Sequence, residues 1–244
     1  MATRTRFYKV VSVVSQGQGH AVLLDGKPIH TPAGAELKLP TLALAEAIAE
    51  EWRSQGEKVR PDTMLLTKLA NTAIDRVAVH RRTTISQILS FARSDLLCYR
   101  AEAPAALVEL QHHFWDPILD WARERYGANF ACGTGIGFVE QPPDSLDALE
   151  RALDDYDSFG LAALDAAAAL LGSAVIALAL AENRLTAEAA FAAGQLDENY
   201  QADKWGHDFE ADQRRASKLS ELVEIARFLQ ALRKVNSMPA LRKN

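Results

Sequence analysis

The stretch from Leu161 to Ala181 is built mostly from alanine and leucine, and it limits what this chain can fold into more than any other segment. Read as one helix, it is long enough to cross a bilayer. However, it contains Asp165, and its flank Asp154-Asp155-Tyr156-Asp157 is acidic. It lacks the Lys/Arg asymmetry and the aromatic belt of a membrane anchor. A helix that is apolar all round and not in lipid must be surrounded by protein. Alanine buries little surface per residue, so its neighbours have to approach closely. The expectation is a single buried helix over 161–181 at the centre of a helical bundle.

The N-terminal part has a different period. Phe7 to Val14 is rich in β-branched and aromatic residues, and Ala21 to Leu24 repeats that character. Between them, Ser15-Gln16-Gly17-Gln18-Gly19 reads as a turn. A hairpin follows these glycines, not a helix N-terminus, so a phosphate loop is disfavoured. Asp25-Gly26 is a type I′ hairpin signal. Lys27 to Pro32 is extended because each proline biases its predecessor away from helix, and Glu36 to Leu39 alternates as a half-buried strand does. Thr41 then reads as the N-cap of a helix whose apolar face is Leu42, Leu44, Ala45, Ile48, Ala49 and Trp52, ended by Ser54-Gln55-Gly56.

Pro61-Asp62 marks a boundary. Residues 1–62 are expected to form a β-meander plus one helix, and residues 63–244 an α-helical domain, giving an α+β chain overall. Helical patterns run from Met64, from Thr83 to Leu97, from Ala105 to Tyr126 (with Pro117 kinking or dividing it) and from Ser145 to Asp157. Thr186 caps 187–194, and helix continues over 195–215 and 218–232. Gly133 to Phe138 reads as a loop or short strand, and the basic tail Val235 to Asn244 as loose.

Composition excludes several function classes. A net charge of −5 argues against a nucleic-acid footprint. The only cysteines, Cys98 and Cys132, stand outside any CxxC, which excludes a disulfide framework or a cysteine-rich zinc site and fits a reducing compartment. Met1 to Arg6 is briefly basic, but no signal-peptide core follows it.

There is no G-x-S-x-G. Cys98 lies beside Tyr99 and Arg100, which would suit either an activated thiol or a small buried cysteine at a helix end. His112-His113 with Asp116 and Asp120 does not match H-E-x-x-H and has no second cluster, so no metal or cofactor is expected. The remaining candidate is the acidic, aromatic stretch Leu196 to Asp212. On a helix, Asp197 and Gln201 share a face, as do Gln201 and Trp205. Glu198 lies one step round, and Asp208, Glu210 and Asp212 follow the Trp205-Gly206 break. Two readings stay open on these residues alone. One is a solvated acidic face with Tyr200 and Trp205 packed inward. The other is a recognition surface, with aromatics supplying contact area and acids supplying steering. An enzyme of hydrolase type, using Cys98 or the 197–212 carboxylates, is the alternative from a different class.

The order of short motifs resembles one known family. The matching pieces are Arg6-Phe7-Tyr8-Lys9; Leu24-Asp25-Gly26-Lys27-Pro28 with Thr31-Pro32; and Leu44 to Trp52. They continue with Leu66 to Asp75, Ser94 to Glu102, Trp115 to Trp121, and Gly172-Ser173 with Ala177-Leu178-Ala179. The last is Leu196-Asp197-Glu198-x-Tyr200-Gln201 leading to Trp205-Gly206-x-Asp208-x-Glu210-Ala211. In this order the chain is similar to the assembly chaperones for the α subunit of F1 ATP synthase.

The resemblance implies a non-enzymatic chaperone with no cofactor. It would hold newly made α subunit, whose exposed apolar interface is an aggregation hazard, until the β subunit replaces it. It also implies a functional acid at Asp197 or Glu198; with the recognition reading of this stretch, Gln201, Trp205, Asp208 and Glu210 are expected as further client contacts. No transit peptide is recognised, so a bacterial cytoplasmic protein is expected.

Overall fold

In the computed structural model the described residues are 4–135, 137–206 and 208–233. The basic tail 235–244 lies outside them. A small strand-containing region comes first and a mainly helical region follows, so the chain is α+β.

Strand β1 (Arg4–Thr5) pairs antiparallel with β6 (Lys58–Val59). The main sheet centres on β3 (Gly19–Leu24). On one side β3 pairs antiparallel with β2 (Val11–Gln16), and on the other with β4 (Lys27–Pro28) and β5 (Lys38–Leu39) along different stretches. Asp25 and Gly26 both take positive φ, 48° and 80°, as a type I′ turn requires. Strand β2 begins at Val11, later than the sequence pattern suggests. The Asp25 carboxylate accepts the backbone N–H groups of Lys9 and Val10 and so takes them out of the ladder. Helix α1 (Leu42–Arg53) covers β2 and β3 with Leu44, Ala45, Ile48 and Ala49 buried, and Thr41 Oγ1 caps it by accepting from Leu44 N.

After a 3-10 turn at Pro61–Thr63 come α2 (Leu65–Thr72), which runs on into a π-helical turn at Ala73–Val77, and α3 (Arg81–Arg93). Helix α3 ends short of Leu97. The Asp95 carboxylate accepts from Leu97 N and sets a 3-10 turn over Leu96–Cys98, which feeds β7 (Tyr99–Arg100). Helix α4 (Ala105–Tyr126) runs undivided through Pro117 and stops at Gly127, whose φ of 76° is left-handed. Strand β8 (Gly133–Thr134) then pairs parallel with β7. The bundle is completed by α5 (Pro143–Asp154), α6 (Ser158–Leu171), α7 (Ala174–Ala181), α8 (Ala187–Gly194), α9 (Leu196–Trp205) and α10 (Phe209–Leu232).

Two of the sequence expectations are corrected here. The alanine-rich stretch is two helices, α6 and α7. Gly172 takes a left-handed φ of 68° and ends the first, and the Ser173 hydroxyl accepts from Ile176 N and starts the second. The later helices divide at Gly206 (φ 101°) instead of between 215 and 218, because Asp208 accepts from Ala211 N and caps a new helix. The burial expected of the stretch is found. Every residue of α7 is buried, and α6 packs against α2, α3, α7, α8 and α10. No described helix is long and apolar enough to cross a membrane.

The family-like motifs bond to one another across the fold. Tyr8 Oη donates to Trp52 O, and Thr31 Oγ1 donates to Asp75 at 2.6 Å. Glu51, itself buried, accepts from Leu66 N, Thr67 N and Thr67 Oγ1 at the start of α2. Burial pushes the Glu51 carboxyl up, while the Thr67 bonds pull it back. Asp95, fully buried, accepts from Val175 N at the start of α7, and Leu96 N donates to Gly172 O. Burial raises the Asp95 carboxyl to about 6 in spite of its hydrogen bonds to Ser173, Val175 and Leu97.

Candidate functional site

Helix α9 rests on α4 and α8. Its attachment begins in α4, where Leu107, Gln111, Trp115, Ile118 and Ala122 are buried at helical spacing. Four of these five are apolar, and Gln111 is the exception. A polar side chain on a core-facing stripe must find partners. Gln111, only 1% exposed, accepts from Ala101 N at 2.8 Å through Oε1 and donates from Nε2 to Asp197 Oδ1 at 2.8 Å. One turn on, Trp115 is fully buried and donates from Nε1 to Ala193 O, which fixes the end of α8 directly before α9. Asp197 is therefore a half-buried carboxylate held by a built contact.

The other candidates differ in setting. Glu198 and Gln201 are exposed. Tyr200 is half-buried against the core, with the Lys204 ammonium 5.7 Å from its ring centre. Trp205 is the last residue of α9; the surroundings of its side chain lie outside what is described. Asp208 caps α10, and Glu210 is exposed with Arg214 at 3.6 Å one turn further along. Asp197 and Glu198 thus stand together at the first turn of α9, whereas Asp208 and Glu210 belong to the first turn of α10. Negative side chains suit both positions, because a helix N-terminus carries partial positive charge.

Sequence reasoning missed Gln111, although a glutamine on an apolar stripe is a readable signal. It also missed the neighbours of Gln111 on the outer face of α4. Leu110 and Phe114 are exposed large apolar residues spaced i, i+4, and the ring of His113 meets that of Phe114 edge-on at 4.9 Å. The pairing of His112 is with Asp116, Nδ1 to Oδ2 at 2.8 Å, and Asp116 also binds Arg100 at 2.9 Å. Among the described residues no group of three His, Cys, Asp or Glu side chains is placed to hold a metal ion. Cys98 is fully buried and its thiol faces Cys132.

Known proteins resemble this chain along most of its length. The family model described as ATP12 chaperone protein matches residues 5–123. A protein named atp12, mitochondrial, from Schizosaccharomyces pombe is 26% identical over 213 residues, spanning 82% of this chain and 73% of its own. The crystal structure of Atp12 from Paracoccus denitrificans superposes with a TM-score of 0.89 at 40% identity, covering 94% of this chain and 98% of that one. A candidate chaperone from Agrobacterium tumefaciens superposes with a TM-score of 0.91 at 43% identity, covering 95% of this chain and 87% of that one.

Proposed function

Because the chain belongs to the ATP12 chaperone family, we propose that it holds the unassembled α subunit of an F1 ATP synthase until the β subunit takes its place. The observation that carries this reading is the pairing on adjoining helices of a fixed acid with open apolar surface. Asp197 is held half-buried by Gln111 of α4, Glu198 beside it faces solvent, and α4 exposes Leu110 and Phe114. Apolar side chains supply contact area to a client interface that would otherwise aggregate. Acids at the rim steer the encounter and fix its register, and contribute less to raw affinity.

On this reading the protein acts by binding and not by catalysis. The thiol route to an enzyme would need Cys98 reachable and beside a base; Cys98 is buried against another thiol instead. Gln201, Trp205, Asp208 and Glu210 extend the client contact along α9 and the start of α10, and the likeness to bacterial relatives supports the bacterial cytoplasm as the compartment.

The test is co-expression with the α subunit of the same organism, followed by size-exclusion chromatography. A soluble one-to-one complex is expected, released on adding β subunit. If α stays insoluble and no complex elutes, the client assignment fails.

A further inference from the structure

The pairing of β7 with β8 brings the chain's two cysteines together. The parallel register places Tyr99 opposite Gly133 and Arg100 opposite Thr134. One position back along both strands stand Cys98 and Cys132, so the two thiols meet across the end of the pair. Their environments are opposite. Cys98 is fully buried, and Cys132 is exposed. Arg100 lies beside them. Its Nε donates to Leu97 O at 2.8 Å, Nη2 binds Asp116 at 2.9 Å, and the same Nη2 lies 4.0 Å from Cys132 Sγ. Its Nη1 is buried and has no partner among the described residues. The guanidinium thus meets the Cys132 sulfur through Nη2, where its positive charge favours a thiolate.

We propose that Cys132 and Cys98 form a peroxide-reactive dithiol, with Cys132 as the attacking thiolate and Cys98 as the resolving thiol. The electrostatics run the same way. A hydrogen bond from the Cys98 thiol and the Arg100 charge hold the Cys132 thiol below its ordinary range. Donating that bond, and being buried, push the Cys98 thiol up. In the first step the Cys132 thiolate attacks one oxygen of hydrogen peroxide. An S–O bond forms as the O–O bond breaks, and the departing hydroxide leaves as water after taking a proton. Sulfur gives up two electrons and becomes a sulfenic acid. In the second step the Cys98 thiol loses its proton and attacks the Cys132 sulfur. The S–S bond forms, the S–O bond breaks, and the hydroxyl leaves as a second water. Two thiols and one peroxide yield one disulfide and two waters. Oxidation thereby closes a covalent bridge between the start of β7 and the loop that carries β8.

The experiment is one equivalent of hydrogen peroxide added to the full-length reduced protein at neutral pH, followed by intact-mass measurement and thiol titration. Both thiols should disappear together, the mass should fall by about 2 Da, and dithiothreitol should restore both. The variant C98S should stop at the sulfenic acid, trapped by dimedone on Cys132, while C132S should leave Cys98 unmodified for at least tenfold longer. Circular dichroism establishes that each variant is folded. As a measurement that needs no variant, iodoacetamide should label Cys132 with a midpoint pH below the usual thiol value of about 8.5. Stepwise loss of single thiols, a disulfide-linked dimer, or a C132S protein that oxidises as fast as the parent would each overturn the assignment.

Discussion

Asp95 and Asp197 invite comparison. Each lies in a stretch that resembles a motif of the family, each accepts a hydrogen bond from another element, and each stands at or beside the first turn of a helix. Asp95 is fully buried and joins the turn after α3 to the N-terminus of α7. Asp197 is half-buried, and it leans on one buried glutamine while the next residue, Glu198, is open to solvent. The first joins two parts of the scaffold. The second is fixed on one side and offered on the other. Motif resemblance weighs the two equally; burial separates them, and only the second adjoins a solvent-exposed acid.

The strongest way to break this contrast is Asp95→Ala. Its removal leaves the amides of Leu97 and Val175 without an acceptor inside the core, and a loss of about 3–5 kcal/mol in unfolding free energy is expected in urea. A loss below about 1 kcal/mol would show that the junction is held by something else.

The pH dependence sharpens the same point. The folded Asp95 carboxyl titrates at about 6, above its unfolded value. Its favourable contribution is therefore complete below the unfolded pKa and is lost as pH rises through the folded one. The stability of the parent relative to Asp95→Asn should fall between roughly pH 4 and pH 7 by about 3 kcal/mol. A flat difference would mean that Asp95 is not desolvated.

Next in size, Gln111→Leu removes the acceptor for Ala101 N and the donor to Asp197. About 1–2 kcal/mol of stability should go, and with it several-fold of α-subunit capture in pull-down. Loss of stability with unchanged capture would confine Gln111 to the scaffold. The smallest effect on the fold is expected for Glu198→Lys, within about 0.5 kcal/mol because the side chain is exposed. Asp197→Lys should cost about 1–2 kcal/mol by leaving Gln111 Nε2 without its acceptor. Either charge reversal should weaken capture at least tenfold, and unchanged capture by both would remove the first turn of α9 from the client surface.

Features encoded within a few residues are legible in the sequence itself. Asp25-Gly26, Thr41, Gly127 and Thr186 each carry their own backbone chemistry, and each is found in the role its type suggests. The Gly172-Ser173 break escapes the periodicity because apolar residues continue across it, even though a glycine followed by a capping residue is in plain view. The end of α3 is obscured for another reason: besides Leu97 N close by, Asp95 is held by Val175 N of α7, 80 residues away. At the candidate site, the acids are visible as composition. The glutamine that orients Asp197 comes from a helix 86 residues earlier. The meeting of Cys98 and Cys132 depends on a parallel pairing of two-residue strands that no local pattern announces.

One hydrogen bond has a bearing on how the molecule is made. Thr41 Oγ1, the residue that starts α1, donates to Ala231 O near the end of α10, across 190 positions of chain. Helix α10 also buries Leu222, Ile225, Phe228 and Leu229 against the elements around it, α1 and α2 included. During synthesis the first helix leaves the ribosome long before its cover exists, and so distant a closure is slow to form. The last of the described helices thus seals the first. Until it does, this chaperone is itself a chain with an unprotected apolar face, in the same predicament as the client it would shelter.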